Sequence, residues 1–240
     1  MVSGMPPAIV ELTETLYRWS PGETPCLDIP AFAMRAGERL FLYGPSGSGK
    51  STLLGVLGGV LVPERGSVRV LGNELRGASA PARDRFRADH VGLIFQQFNL
   101  IPYLSALENV LLACRFSRRR EERAAGEGGA RAAAARLMHH LDLEPALHSR
   151  LATRLSVGQQ QRVAAARALI GRPELVIADE PTSALDAERQ AIFLELLLRE
   201  CTQAGSALLF VSHDRRLARA FDRETDISSI TRSNAYREAA

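Results

Sequence analysis

A glycine-rich segment, GPSGSGKST, contains the only lysine of the chain. Of the 30 Lys and Arg residues in the sequence, all the others are arginine. The segment satisfies the pattern G-x-x-x-x-G-K-[ST], in which backbone N–H groups surround phosphate oxygens. Lys50 would reach the β and γ phosphates of a nucleotide, and the Ser51 hydroxyl would bind Mg²⁺. A compact ammonium fits such a loop where a planar guanidinium fork does not. The alternative is a flexible Gly/Ser turn with a stray lysine. The predicted nucleotide-binding residues here are Gly44, Pro45, Ser46, Gly47, Ser48, Gly49, Lys50, Ser51 and Thr52.

Two adjacent acids, Asp179 and Glu180, follow the apolar run Leu175–Ala178. A buried strand that ends in paired carboxylates is typical of nucleotide hydrolases, in which one acid holds Mg²⁺ and the other polarises the attacking water. By position, Asp179 is predicted to bind the metal and Glu180 to act as the base. An acidic helix cap closed by Pro181 would explain only one of the two acids.

Four apolar runs are predicted to be the strands that position these groups: Leu40–Tyr43, Val91–Phe95, Leu175–Ala178 and Ala207–Val211. Helical patterns separate them, which predicts a mostly parallel sheet covered by helices. Ligands of such sheets bind at the carboxyl ends of the strands. Each run ends in a polar element, namely the phosphate loop, Gln96, the paired acids, and Ser212-His213.

The region between Gln96 and the third run has no strand character and is predicted to be a helical insertion. Within it, the run Arg118–Arg120 beside Glu121 and Glu122 indicates a solvated helix face with i, i+4 pairing. The glycines of the segment 126–129 are expected to interrupt this helix. His139 and His140 are adjacent and point about 100° apart on a helix, so they are read as ordinary surface or boundary residues.

The composition fits one sizeable α/β domain, with 240 residues of which 46% are hydrophobic. A formal net charge of +3 neither requires nor excludes a nucleic acid or an anionic membrane. The three cysteines form no C-x-x-C pair, which favours reduced thiols in the cytosol. We find no apolar run of about 18 residues and no secretory signal, so any role at a membrane is expected to require a partner.

The segment LSVGQQQRVAAARAL, at 155–169, resembles the signature motif of the ATP-binding cassette (ABC) proteins. The phosphate loop, Gln96 after GLIF, the acids of ADEP, SALD at 183–186 and SHD at 212–214 complete the family's motifs in the family's order. The resemblance implies an α/β fold with a RecA-like P-loop core and a mostly parallel sheet. It also implies an N-terminal antiparallel β subdomain and an inserted α-helical subdomain. Residues 1–240 would form a single nucleotide-binding domain, with an ATP-binding core at 1–96 and 171–222, a helical subdomain at 97–170 and a loose polar tail at 223–240.

The family's mechanism assigns roles across a homodimer that encloses two ATP molecules. Ser156, Gly158 and Gln159 would contact the γ-phosphate held by the other protomer, although the family usually has glycine where Val157 stands. Asp186 would couple the two sites.

Three further roles follow from the resemblance. Gln96 would bind Mg²⁺ or its water and sense a membrane partner, and His213 would contact the γ-phosphate and help to position Glu180. An aromatic side chain would stack on adenine, and Trp19 is preferred to Tyr17 because its spacing to Gly44 suits the family better. The alternative for both is a core aromatic of the N-terminal sheet.

Within the family, FNLIPYLSALENVLL and SVGQQQRVAAARAL are most similar to the macrolide-efflux, lipoprotein-release and cell-division cassettes. This implies an ATP-hydrolysing, peripheral subunit on the cytoplasmic face of the cell membrane. Its partner would be a separate permease with few spans, for export or mechanical work, and no nucleic acid is expected. Phe98–Tyr103 with Leu107 would form an apolar docking groove for that permease. The alternatives are a solute importer, or a cassette ATPase that acts on ribosomes or DNA.

Overall fold

The computed structural model describes residues 7–126 and 128–233, and the chain divides into two compact units. Among the described residues, the first unit comprises 7–87 and 209–233, and the second comprises 88–126 and 128–208. The strands of the described part are β1 (Ala8–Tyr17), β2 (Leu27–Arg35), β3 (Arg39–Tyr43), β4 (Arg65–Val70), β5 (Asn73–Glu74), β6 (Val91–Ile94), β7 (Leu175–Asp179), β8 (Ala207–Val211) and β9 (Arg223–Asp226). Its helices are α1 (Lys50–Leu57), α2 (Ala80–His90), α3 (Ala106–Phe116), α4 (Arg118–Ala125), α5 (Ala130–His140), α6 (Val157–Leu169), α7 (Ala187–Ala204) and α8 (Ile227–Ile230).

An antiparallel sheet with the strand order β2-β1-β4-β5 lies in the first unit. In β2, Leu27 and Ile29 are buried and alternate with more exposed neighbours, and after a shift of one residue at Pro30-Ala31 so do the buried Phe32 and Met34. This period of two is the pattern of a sheet with one face in the core. The predicted N-terminal antiparallel β element is therefore confirmed.

The first unit also contains a parallel pair, β3 with β9, in which Leu40 lies opposite Arg223 and Tyr43 opposite Asp226. The prediction of a loose polar tail from residue 223 is wrong for this part of the chain, because 223–230 form β9 and α8. Residues 234–240 of the predicted tail lie outside the described residues. Pairing with the buried β3 supplies the backbone hydrogen bonds that order the polar RETD segment.

The second unit contains the parallel pair β6 and β7, in which Val91 lies opposite Leu175 and Ile94 opposite Ala178. Helices α3 to α6 fill the chain between these two strands, as the insertion pattern predicts. Strands that alternate with helices, together with an antiparallel sheet, make an α/β fold and confirm the predicted fold class. The finer division into core, helical subdomain and tail stays a prediction.

The arginine run on α4 differs from the predicted solvated face. Arg118 does pair with Glu122 one turn along, at 2.8 Å between Nε and Oε1. Arg120, in contrast, is only 2% exposed, and its guanidinium donates to the carbonyl oxygens of Val91, Ala168 and Ile170. Burial lowers its pKa to about 10, so the buried group still carries its charge at neutral pH. Arg120 thus fastens α4 to β6 and to the end of α6.

Candidate functional site

The phosphate-loop residues lie in the first unit, between the buried β3 and the start of α1. Gly44 has φ 153°, and a Cβ there would lie 2.6 Å from Ile227 Cγ2 of α8. Gly49 has φ 91°, and a Cβ there would lie 2.9 Å from Leu27 Cδ2. Both positions therefore require glycine for their backbone angle and for space.

Lys50 is the first residue of α1, and its ammonium folds back over its own loop. Nζ donates to the carbonyl oxygens of Gly44 at 2.9 Å and Pro45 at 2.8 Å. The Ser48 hydroxyl donates to the same Pro45 oxygen at 2.7 Å. The loop therefore has a fixed shape, with the charge of Lys50 held over it.

The N-terminus of α1 lacks the side-chain cap that is present at the N-termini of α3, α6 and α7. No side chain caps it, and its first turn has no acidic residue. The helices α3, α6 and α7 each have a side-chain oxygen that accepts a first-turn N–H. The first N–H groups of a helix otherwise need an acceptor, and the positive end of the helix dipole favours an anion. The arrangement suits a bound phosphate.

The two aromatic candidates for adenine stacking contact each other in the first unit. Tyr17 ends β1 and Trp19 follows it, with ring centroids 5.3 Å apart and planes 89° apart. Trp19 is 61% exposed, whereas Tyr17 is half-buried, and burial together with the neighbouring Cys26 raises the pKa of its hydroxyl. Trp19 therefore presents more ring surface to a ligand than Tyr17 does.

His213 is exposed and follows β8, also in the first unit. Its neighbours hold a tight turn, in which Ser212 Oγ accepts from the Asp214 backbone N–H at 3.1 Å. Hydrogen bonds from Arg216 are the main reason that the pKa of Asp214 lies below its usual range. Asp214 is thus occupied as an acceptor in the turn that carries His213.

The paired acids end β7 in the second unit, as predicted. Asp179 is the last residue of the strand, and both acids are half-buried. Glu180 has φ 45°, a left-handed conformation that costs a non-glycine residue about 1–2 kcal/mol. Such strain concentrates where a side chain must point in a particular direction for function.

The signature segment begins α6, and its polar residues bond to each other. Ser156 caps the helix, since its Oγ accepts from the Gln159 backbone N–H while Gln159 Oε1 accepts from the Ser156 N–H. Val157 takes a helical position with an exposed side chain, so the β-branched residue does not prevent the loop from forming. A Cβ on Gly158 would lie 3.9 Å from Leu185 Cδ2, which places the signature segment beside the SALD segment.

Asp186 has a structural role that the sequence interpretation missed. Its Oδ1 accepts from the Arg189 backbone N–H at 2.9 Å and caps α7. The preceding turn is held by Gln190, whose Nε2 donates to the carbonyl oxygens of Thr182 and Leu185 at 3.1 Å each. The available signal was an aspartate immediately before a helical apolar pattern, which is a preferred residue for the N-cap.

Gln96 follows β6 in the second unit and is exposed, as are Phe95 and Gln97. The predicted docking groove beyond it requires correction. Phe98 and Leu107 are each only 7% exposed and belong to the core, because burial of large apolar side chains stabilises the fold. Tyr103, in contrast, is 76% exposed.

The oxygen ligands predicted for Mg²⁺ fit that ion chemically. Ser51 supplies a hydroxyl in the first unit, and Asp179 a carboxylate and Gln96 an amide oxygen in the second. Among the described residues no group of three or more His, Cys, Asp or Glu is placed to hold a metal. Mg²⁺ usually binds through one or two protein oxygens, waters and substrate phosphates, so a nucleotide would complete the coordination.

In residues 7–126 and 128–233, no helix has both the length and the apolar character that crossing a membrane requires.

Comparisons with known proteins agree with the order of the motifs. The ABC transporter family model matches residues 27–183. The ABC transporter ATP-binding protein YbbA of Escherichia coli K12, itself uncharacterised, is 43% identical over 190 residues, which cover 79% of this chain and 80% of YbbA. The lipoprotein-releasing system ATP-binding protein LolD of Hydrogenovibrio crunogenus is 37% identical and covers 90% of both chains.

A solved structure is also similar to this chain. The dimeric post-hydrolysis state of the ATP-binding cassette MJ0796, bound to ADP and Pi, matches with a TM-score of 0.80 and 34% identity, over 90% of this chain and 93% of that one. The fold, the ordered motifs and these relatives lead to one conclusion: the chain belongs to the ABC transporter family and is an ATP hydrolase of the ABC type.

Proposed function

We propose that the chain is the ATP-hydrolysing subunit of an exporter or mechanotransmission system whose permease is a separate chain. The phosphate loop is the structural feature that most strongly supports an ATP site. Its helix α1 lacks a side-chain cap, and Lys50 donates to the loop carbonyl oxygens of Gly44 and Pro45. Phosphate oxygens are stronger acceptors for an ammonium than neutral carbonyls are, so a bound nucleotide would draw Lys50 onto its phosphates.

In this proposal the remaining residues divide the work of hydrolysis. Ser51, Asp179 and Gln96 would hold Mg²⁺, which when bound would neutralise charge on the phosphates. Glu180 orients and polarises the attacking water, and His213 contacts the γ-phosphate. Trp19 stacks on adenine, since its ring is the more exposed of the aromatic pair.

We propose that hydrolysis requires a homodimer. The hydroxyl of Ser156, Gly158 and the amide of Gln159 would meet the γ-phosphate held by the partner, where the N-terminus of α6 adds its dipole. Asp186 would couple the two sites. The dimeric form of the MJ0796 cassette, at 34% identity, supports this assembly.

The lipoprotein-releasing relatives support the transport part of the proposal. LolD proteins from several bacteria are 37–42% identical to this chain, for example 42% over 197 residues in Rhodospirillum rubrum. We therefore propose that the homodimer binds a few-span permease on the cytoplasmic face of the membrane. The exposed Tyr103 would form part of the contact.

The test is to capture tagged Glu180→Gln protein from gently solubilised native membranes with Mg-ATP, and to identify its partners by mass spectrometry. The control is the double variant with Lys50→Ala, which should not bind nucleotide. A stoichiometric few-span membrane protein that is depleted in the control would support the proposal. Recovery with ribosomes or DNA and no membrane protein would overturn the transport role and leave the ATPase assignment standing.

A further inference from the structure

Arg167, in the last turn of α6, holds the segment that follows Gln96 and Gln97. Its Nη1 donates to the Asn99 carbonyl oxygen at 2.7 Å and its Nη2 to the Phe98 carbonyl oxygen at 2.6 Å. The planar guanidinium fork suits two adjacent acceptors, which an ammonium would not bridge in the same way. All these residues belong to the second unit.

The two acceptor residues are in an unfavourable backbone conformation. Phe98 has φ 58° and Asn99 has φ 48°, so two successive non-glycine residues are left-handed. The Phe98 N–H donates to the Phe95 carbonyl at 2.9 Å, and the Phe98 side chain is buried. Residues in this conformation persist where the surrounding structure holds them in place.

A second polar residue holds the far end of the same segment. Asn109 of α3 is fully buried, and its Oδ1 accepts from the Ile101 N–H at 2.7 Å. Its Nδ2 donates to the carbonyl oxygens of Ile101, Leu104 and Ser105. Residues 98–105 are therefore fixed at one end by α3 and at the other by α6, and the exposed Tyr103 lies between.

The same helix that holds this segment begins at the signature motif. Helix α6 has 13 residues and is about 20 Å long, with the Ser156 cap at its start and Arg167 in its last turn. A helix of this length moves largely as a rigid body, so displacement of its N-terminus displaces Arg167 as well.

We propose that Arg167 is a positioning residue that transmits nucleotide-driven movement of α6 to residues 98–105. The inference rests on the proposed function, because the movement begins when the signature segment meets ATP. When α6 moves, the guanidinium of Arg167 loses or reorients its hydrogen bonds to the carbonyl oxygens of Phe98 and Asn99. The left-handed turn then changes conformation. The surface around Tyr103 then reports the nucleotide state.

The test is hydrogen–deuterium exchange of residues 98–105 in the full chain carrying Glu180→Gln, with and without Mg-ATP. Three proteins are compared: this parent, the parent with Arg167→Gln, and the parent with Arg162→Gln. Arg162 is the matched control, because it lies on the same helix but donates to the Asp142 carbonyl at 3.0 Å and its carboxylate at 2.7 Å. ATP affinity and dimer formation are measured on all three proteins in parallel.

In the parent and the Arg162→Gln control, Mg-ATP should change the exchange of these amides by about tenfold, the effect of gaining or losing one charged hydrogen bond. In Arg167→Gln the segment should exchange faster without nucleotide and respond to Mg-ATP by less than about twofold. ATP affinity should be retained in all three. Arg167→Lys, which keeps the cation but not the fork, should respond between these limits, and it replaces Arg167→Gln if that variant fails to fold by circular dichroism.

A full nucleotide response in Arg167→Gln would show that the contact is only structural and would overturn the inference. A parent that binds ATP and dimerises, yet shows no change at 98–105, would also overturn it and leave the proposed function intact. A parent that binds no ATP would overturn the proposed function itself, and the inference with it.

Discussion

At the scale of single residues, the phosphate loop explains why one lysine stands among so many arginines. The ammonium of Lys50 fits between the carbonyl oxygens of Gly44 and Pro45, 2.9 and 2.8 Å away. Tight packing at Gly44 and Gly49 leaves the loop little freedom to widen. A guanidinium is broader and has a fixed planar shape.

We therefore expect Lys50→Arg to be nearly as damaging as Lys50→Ala. Both variants should lose at least about 100-fold in ATP turnover, since a positioned charge on the phosphates is lost. Steady-state phosphate release measures this, and urea denaturation serves as the control for folding. Turnover of Lys50→Arg close to that of the unmodified protein would refute the steric explanation.

The strained backbone at Glu180 gives a second prediction. Asparagine tolerates the left-handed conformation better than glutamate does, so Glu180→Asn should raise the free energy of unfolding by about 0.5 kcal/mol. ATP turnover should fall by at least about 100-fold, because the base is removed. Arg172→Asn is the matched control, since Arg172 has φ 51° and is exposed: its stability should change similarly while turnover stays within about twofold. A loss of stability in Glu180→Asn would contradict the interpretation of strain at this position.

At the level of the elements, Asp186 caps helix α7 and contributes to its stability. The same residue is proposed to couple the two ATP sites. Asp186→Ala should lower the free energy of unfolding by about 1 kcal/mol, because the Arg189 N–H loses its acceptor. Asp186→Ser keeps an acceptor and should lose less than half of that. If coupling needs the carboxylate, turnover should fall in both variants alike. Full turnover in Asp186→Ser would mean that capping is the only role of Asp186, and denaturation and phosphate-release assays decide between the two.

A cluster around Glu174, which directly precedes β7, joins this residue to His90 and to two arginines of α4 within the second unit. The carboxylate accepts from Arg119 at 2.8 Å and from Arg123 at 2.6 Å, and it lies 3.0 Å from His90 Nδ1. Burial raises the pKa of Glu174, but the hydrogen bonds from His90, Arg119 and Arg123 outweigh burial and hold the pKa well below its usual range. The charged carboxylate is therefore the form that the folded state prefers.

This lowered pKa predicts a pH dependence of stability. The contribution of Glu174 is fully present above the unfolded-state pKa of about 4.3 and is lost as the pH falls through the lower, folded-state value. Glu174→Gln should cost about 1–2 kcal/mol of unfolding free energy at pH 7, and this difference should shrink below about pH 4. Glu122→Gln, which breaks only the exposed pair with Arg118, should change stability by less than about 0.5 kcal/mol. A Glu174→Gln deficit that is the same at pH 3 and pH 7 would contradict this account.

At the scale of the whole molecule, the sequence predicts the strands and their polar ends well. The run predicted at 91–95 is β6 at 91–94, and the run predicted at 175–178 is β7, which extends one residue further to Asp179. These strands are short, buried and continuous in apolar character, so local patterning identifies them. The phosphate loop and the signature segment are equally local.

What the sequence does not reveal depends on contacts between residues far apart in the chain. The RETD strand β9 has no apolar period and is ordered by pairing with β3. The sequence places Arg120 in a run that is predicted to be solvated. In the structure Arg120 is buried, and it donates to carbonyl oxygens up to 50 residues away in the chain. Arg167 likewise gives no local signal, because its acceptors lie 68 and 69 residues earlier in the chain.

We propose that ATP drives two copies of this chain together, and the mass of the Glu180→Gln protein in solution tests this dimerisation. Size-exclusion chromatography with light scattering should give the chain mass of 26.2 kDa without nucleotide and twice that mass with Mg-ATP. The Lys50→Ala double variant should stay monomeric under both conditions. A Glu180→Gln protein that binds Mg-ATP to saturation and still has the mass of one chain would contradict the account.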